Sequence, residues 1–174
     1  MTLILLLQIL VSLIFFANKV FVLAGKKTGW LLGAVAATIA VFYFFLIELY
    51  VYTALEFGLI ILMGYGFFKK EKKSPRTEKA IQATTVTAML LLALFACSGL
   101  MTLVELLSSL GLLAGTYALT HSKQRTGWLL YVVAHCLAAL LGYNKGQLFF
   151  ADFQIASAIV SLVGAIQVKR APSV

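Results

Sequence analysis

The chain has 174 residues, of which 62% are hydrophobic and 11% charged, and its mean hydropathy is +1.01. A soluble domain of this length carries a coat of roughly a quarter charged residues, so a water-soluble globule is excluded and the chain reads as an integral membrane protein. The net charge of +8 sits in short clusters between long apolar runs, which marks topology and contact with anionic lipid and argues against a nucleic-acid partner.

A spanning helix needs about 20 mainly apolar residues, and cutting the chain at its charges and turn residues gives seven. The first runs from Leu3 to Leu23. No positive residue precedes it, and it is longer than a signal-peptide apolar region, so it is expected to be a retained helix. Lys19 lies near its inner end, where it is expected to snorkel to the interface. The second segment is Trp30 to Ile47 and the third Leu49 to Phe68, followed by the charged stretch KKEKKSPRTEK. The apolar stretch from Ala80 to Thr120 is too long for one helix and divides at Ser98-Gly99 into helices 4 and 5. The last two segments are Trp128 to Tyr143 and Gln147 to Val168.

Positive residues in short loops favour the cytoplasmic side. With seven spans, Lys26, Lys27, Lys69, Lys70, Lys72, Lys73, Arg76, Lys79, Lys123, Arg125, Lys169 and Arg170 share one side, and the other receives Lys145. The N-terminus is then outside and the C-terminus cytoplasmic. A single span over 80–120 would place the positive loops of the second half outside.

The phrase KTGWLL at Lys27–Leu32 returns as RTGWLL at Arg125–Leu130. At the same offset of 98, Val35 falls on Val133, Ala36 on Ala134 and Ala40 on Ala138. Helices 1 to 3 thus correspond to helices 5 to 7, and helix 4, a single extra crossing, makes the two units parallel. The expected fold is all-α and integral to the membrane: seven transmembrane helices as two parallel three-helix repeats joined by a linker helix. The units are 1–70 and 99–174, with loop and linker over 71–98. Parallel repeats of this kind place a substrate site near the midplane between the halves. Trp30 and Trp128 fall at the inner interface, where tryptophan anchors a helix whatever its function.

Candidate site residues follow from polarity in apolar surroundings. Glu56 puts a carboxylate in the middle part of a span, where it faces the bundle interior or a wet cavity, and the repeat pairs it with Gln154. Trp128, Tyr131 and His135, at i, i+3 and i+7, form one stripe on helix 6 whose flat surfaces suit a planar cationic ring. Tyr52, Asn144 and Asp152 fall toward the outer end, with Asp152 among the headgroups. Glu105 has Leu7 as its repeat equivalent and no evident role. Gly58, Gly64 and Gly66 allow close helix approach on helix 3. Cys97 and Cys136 have neither disulfide nor metal-ligand spacing, and no cofactor is implied. His121 lies in a loop, the intramembrane acids are few and scattered, and no phosphate-binding loop is present. A catalytic site needs several convergent groups, so an enzyme is disfavoured; a non-transporting scaffold or accessory subunit is the alternative to a transporter.

The segments resemble the PnuC family of bacterial vitamin transporters, whose fold is like that of the SWEET sugar transporters. The likeness rests on Leu49-Tyr50, Glu56 and Tyr65-Gly66-Phe67, where the family has Leu-Tyr, Gln and Tyr-Gly-Trp. It continues at Trp128-Leu129-Leu130-Tyr131 followed by His135, where the family has Trp-x-x-Trp followed by Asn, and at Gly146. The resemblance implies a 3+1+3 arrangement in a bacterial inner membrane and facilitated movement of a small water-soluble vitamin or precursor, nicotinamide riboside first and thiamine next. The implied substrate-binding residues are Trp128, Tyr131, His135, Glu56, Gln154 and Tyr52. A homotrimer is implied by the same likeness.

Overall fold

The computed structural model describes residues 3–68, 75–95, 99–120 and 124–168. These form seven α-helices and, among the described residues, no strand: α1 (Leu3–Leu23), α2 (Thr28–Leu46), α3 (Tyr50–Phe68), α4 (Pro75–Phe95), α5 (Leu100–Thr120), α6 (Gln124–Asn144) and α7 (Leu148–Val168). Five of them, α1, α2, α5, α6 and α7, are long and apolar enough to cross a membrane, and α3 adds the shorter apolar stretch Tyr50–Gly64. The protein is an all-α integral membrane protein. Lys69, Lys70, Lys72, Lys73, Cys97, His121, Lys123, Lys169 and Arg170 lie outside the described residues.

The boundaries follow local chemistry. Helix α4 begins at Pro75, five residues before the expected Ala80; proline is pre-organised for the first helical position, where its missing N–H has no intrahelical partner to lose. Arg76 and Lys79 therefore belong to the first turns of α4 and not to a loop. Gly99, with φ of 89°, stands just before α5, at the expected division.

The α2–α3 and α6–α7 turns share one geometry. After α2, the Leu49 N–H donates to the Phe44 carbonyl at 2.9 Å and the Glu48 N–H to that of Phe45 at 3.2 Å. After α6, the Gln147 N–H donates to the Gly142 carbonyl at 2.8 Å and the Gly146 N–H to that of Tyr143 at 3.1 Å. This is the Schellman pattern, in which one residue past the helix adopts the left-handed conformation. Here that residue is Glu48 (φ 60°) in one turn and Gly146 (φ 67°) in the other, again 98 apart in sequence.

Helix α1 turns a polar face inward and most of its leucines outward, the inverse of a helix in a water-soluble bundle. On α1 the buried residues are Gln8, Val11, Ser12, Asn18 and Lys19, whereas Leu3, Leu6, Leu10 and Leu13 are exposed in the manner of lipid-facing side chains. Chain neighbours pack as α1 on α2, α2 on α3, α5 on α6 and α6 on α7, with α4 against α3 and α5. The two sets meet where α1 packs on α7 and α3 on α5. The main core lies at this junction, around Tyr43, Phe44, Tyr52 and Phe150.

Glu48 carries a side chain at a position its counterpart leaves to glycine, and the left-handed region costs such a residue about 1 kcal/mol. Glu48→Gly is expected to raise the melting temperature of the detergent-solubilised protein, and Gly146→Ala to lower it, by comparable amounts. A Glu48→Gly protein that melts earlier than the parent would contradict this account of the turn.

Candidate functional site

Between α1–α3 on one side and α5–α7 on the other lies a central cavity of about 50 Å³. Five of the six expected site residues line it: Tyr52 and Glu56 from α3, Tyr131 and His135 from α6, and Gln154 from α7. The lining also contains Asn18 with Thr116, Tyr52 with Phe150, Glu56 with Gln154, and Leu59 with Ser157, four pairs each separated by 98 residues. Equivalent positions of the two sets thus converge on one space. Glu56 is 2% exposed, and its Oε2 has no hydrogen-bond partner among the described residues.

The sequence expectation fails at Lys19. The side chain does not snorkel to the interface; it is 5% exposed and lines the central cavity. Its Nζ is hydrogen-bonded to Nε2 of His135 and stands 4.9 Å from the centroid of the Tyr131 ring, over its face. An ammonium can only donate, so His135 accepts at Nε2 and carries its proton on Nδ1. That group in turn donates to Oε1 of Gln154 at 2.6 Å. The relay Lys19–His135–Gln154 ties α1, α6 and α7 together, and it gives the ammonium partners that the interface would otherwise have supplied.

Helix α5 holds the aromatic walls in place. The Tyr131 hydroxyl meets Thr116 Oγ1 at 2.8 Å, and Thr116 Oγ1 donates to the Leu112 carbonyl at 2.8 Å. The Tyr52 hydroxyl meets Ser108 Oγ, which donates to the Ala134 carbonyl at 2.7 Å. Glu105 also gains a role: its Oε1 accepts the Tyr52 backbone N–H at 3.0 Å. That N–H belongs to the first turn of α3, where no intrahelical acceptor exists and a carboxylate also suits the positive end of the helix dipole. Glu105 is thus a cap supplied by one helix to another. It also lines a cavity of about 140 Å³ with Glu48, Asn144 and Lys145. Asp152 is exposed and accepts a hydrogen bond from the Tyr143 hydroxyl at 2.8 Å.

Trp128 is placed differently from its stripe partners. The expected face is real, since Trp128 and Tyr131 meet edge to face at 5.9 Å and Tyr131 and His135 at 5.6 Å. Trp128 nevertheless lies one level away from the central cavity, packed so closely on Gly164 that a Cβ there would fall 2.6 Å from the indole. With Trp30, Val22 and Lys26 it lines a vestibule of about 540 Å³. Trp30 and Trp128, with Asn18, Lys19, Met63 and Tyr131, also line the narrow space between vestibule and cavity. The repeated phrase therefore contributes its two tryptophans to one constriction. The exposed Lys26, Lys27 and Arg125 belong to the same end of the bundle, and Lys145 to the opposite end, as the charge pattern expects.

A family model described as "Nicotinamide mononucleotide transporter" matches residues 5–170, nearly the whole chain, and the chain belongs to that family. The family is one of transporters and not of enzymes, in keeping with the scarcity of convergent catalytic groups. No curated protein and no solved structure gives a match.

The cap on α3 has a measurable consequence. Glu105→Ala leaves a buried N–H without its charged acceptor, which costs about 1.5–3 kcal/mol, whereas Glu105→Gln retains an acceptor and loses less. Thermal unfolding of the three proteins in detergent should rank parent, then glutamine, then alanine. Equal melting of parent and alanine variant would remove Glu105 from this role.

Proposed function

We propose that the protein is a facilitator that carries a small water-soluble vitamin or vitamin precursor with a cationic ring, nicotinamide riboside first and thiamine next, through the central cavity. One observation carries this: a single space between the two helix sets gathers a carboxylate, an aromatic face and a histidine–glutamine pair from α3, α6 and α7. In the bound state the pyridinium ring stacks on Tyr131 and its charge is balanced by Glu56, while His135, Gln154 and Tyr52 hydrogen-bond the polar substituents. The family's description names the mononucleotide. The ammonium among the described lining residues, Lys19, already has a partner, and Glu56 repels a phosphate, so the nucleoside without its phosphate fits better.

At about 50 Å³ the cavity is far below the 300–1,000 Å³ common for small-molecule sites, so the structure corresponds to a state closed around its own side chains. The vestibule beside Trp30 and Trp128 has ligand-sized room, and we take it as the cytoplasmic exit, with the N-terminus outside and the membrane a bacterial inner membrane. Transport follows from rocking of α1–α3 against α5–α7 about the cavity, as parallel repeats in a SWEET-like 3+1+3 arrangement, with α4 as linker. The matching turns at Glu48 and Gly146 and the four lining pairs at offset 98 support that symmetry. Trp128 then guards the exit, and a trimer is the assembly in which we expect the unit to work.

A ligand that binds the native state raises its melting temperature, by a stabilisation of about 2.7 kcal/mol at a hundredfold excess over Kd. Nicotinamide riboside is expected to stabilise the parent protein, thiamine to do so less, and Glu56→Gln to abolish both effects. If no nicotinamide compound shifts the melting of folded protein, this function is wrong and a non-transporting scaffold replaces it.

A further inference from the structure

We propose that Lys19 is a built-in occupant of the cation subsite: its ammonium takes the position on the Tyr131 ring face that the ligand's cationic ring takes during transport. The inference rests on the nicotinamide-compound reading of the cavity and adds a specificity-determining residue to it. The geometry is that of a cation bound by the site. The Nζ lies over the ring at 4.9 Å, is held by His135, and shares the cavity with the Glu56 carboxylate. These are the groups that would receive a pyridinium: an aromatic face for cation–π attraction, a hydrogen-bonding edge and a countercharge. Two cations cannot share one ring face where little water screens them. Ligand in therefore means ammonium out.

A way out exists. Lys19 lines both the central cavity and the constriction beside Trp30 and Trp128, beyond which the vestibule opens. A lysine head is a compact charge on a flexible four-carbon stem, so it can withdraw toward the vestibule while α1 stays in place. The empty carrier then keeps its ring face occupied by the ammonium, and a ring lacking positive charge gains nothing from displacing it. Selectivity for cationic rings thus comes from competition with an internal cation.

This reverses the usual expectation for a buried charged residue in a binding site, because its removal should strengthen binding. Calorimetric titration of the purified full chain in detergent would use nicotinamide riboside, the simple ring cation N-methylpyridinium, and the neutral dihydropyridine form of the riboside. In Lys19→Met and Lys19→Gln both cations are expected to bind about tenfold tighter, the size of one partly desolvated cation–π contact, with little change for the neutral form. Lys19→Arg, which keeps the cation, should show no such gain. Weaker or unchanged cation binding in the methionine and glutamine variants overturns the proposal and makes Lys19 a ligand contact or a structural group. Where one variant fails to fold, as judged by melting, the other decides. Binding of N-methylpyridinium without the riboside would defeat the substrate reading alone, and binding of neither by any variant defeats both.

Discussion

Every feature of the site depends on the cost of holding charge inside an apolar bundle. A carboxylate or ammonium taken out of water loses hydration worth several kcal/mol even after relaxation, and within a membrane the alternative partners are few. The protein meets this constraint by gathering its polar groups on the inner faces of α1, α3, α5, α6 and α7. Glu56 and Lys19 share one cavity, His135 and Gln154 extend the ammonium's hydrogen bonding, and Glu105 is paired with the open end of α3. The fold can be described as the arrangement of apolar helices that allows these pairings.

The same constraint explains why α5 buttresses the site. Tyr52 and Tyr131 are amphipathic side chains whose hydroxyls need partners when buried. Ser108 and Thr116 supply them from α5, so the ring faces present themselves to the cavity in fixed orientation. Helix α1 adds Lys19 to this frame, a charge on a flexible stem. Two fixed ring faces and one adjustable side chain suit a carrier that must close on its cargo and release it.

Much of this was legible in the sequence because hydropathy and charge are one-dimensional signals. The seven segments, the division near Gly99 and the stripe of Trp128, Tyr131 and His135 follow from apolar run length, turn residues and helical spacing. The pairing of Glu56 with Gln154 follows from the offset of 98. Lys19 departs from expectation because its distance from the end of α1 points to the interface whereas its helical face points inward. The signal was present: Gln8, Ser12 and Lys19, spaced by four and seven, fall on one side of a helix whose leucines occupy the other. A comparable stripe of Glu105, Ser108, Leu112 and Thr116 on α5 marks the residues that buttress the two tyrosines. The placement of Trp128 at the constriction had no such signal, because it depends on how closely α6 approaches Gly164 of α7.

A facilitator of this kind passes a nicotinamide nucleoside down its gradient through the cavity between the two helix sets, with no other source of energy. The decisive measurement is uptake of radiolabelled nicotinamide riboside into proteoliposomes containing only this protein, without nucleotide or ion gradients. Uptake is expected to rise until the internal concentration equals the external one and then stop. Uptake no faster than in protein-free vesicles would contradict it.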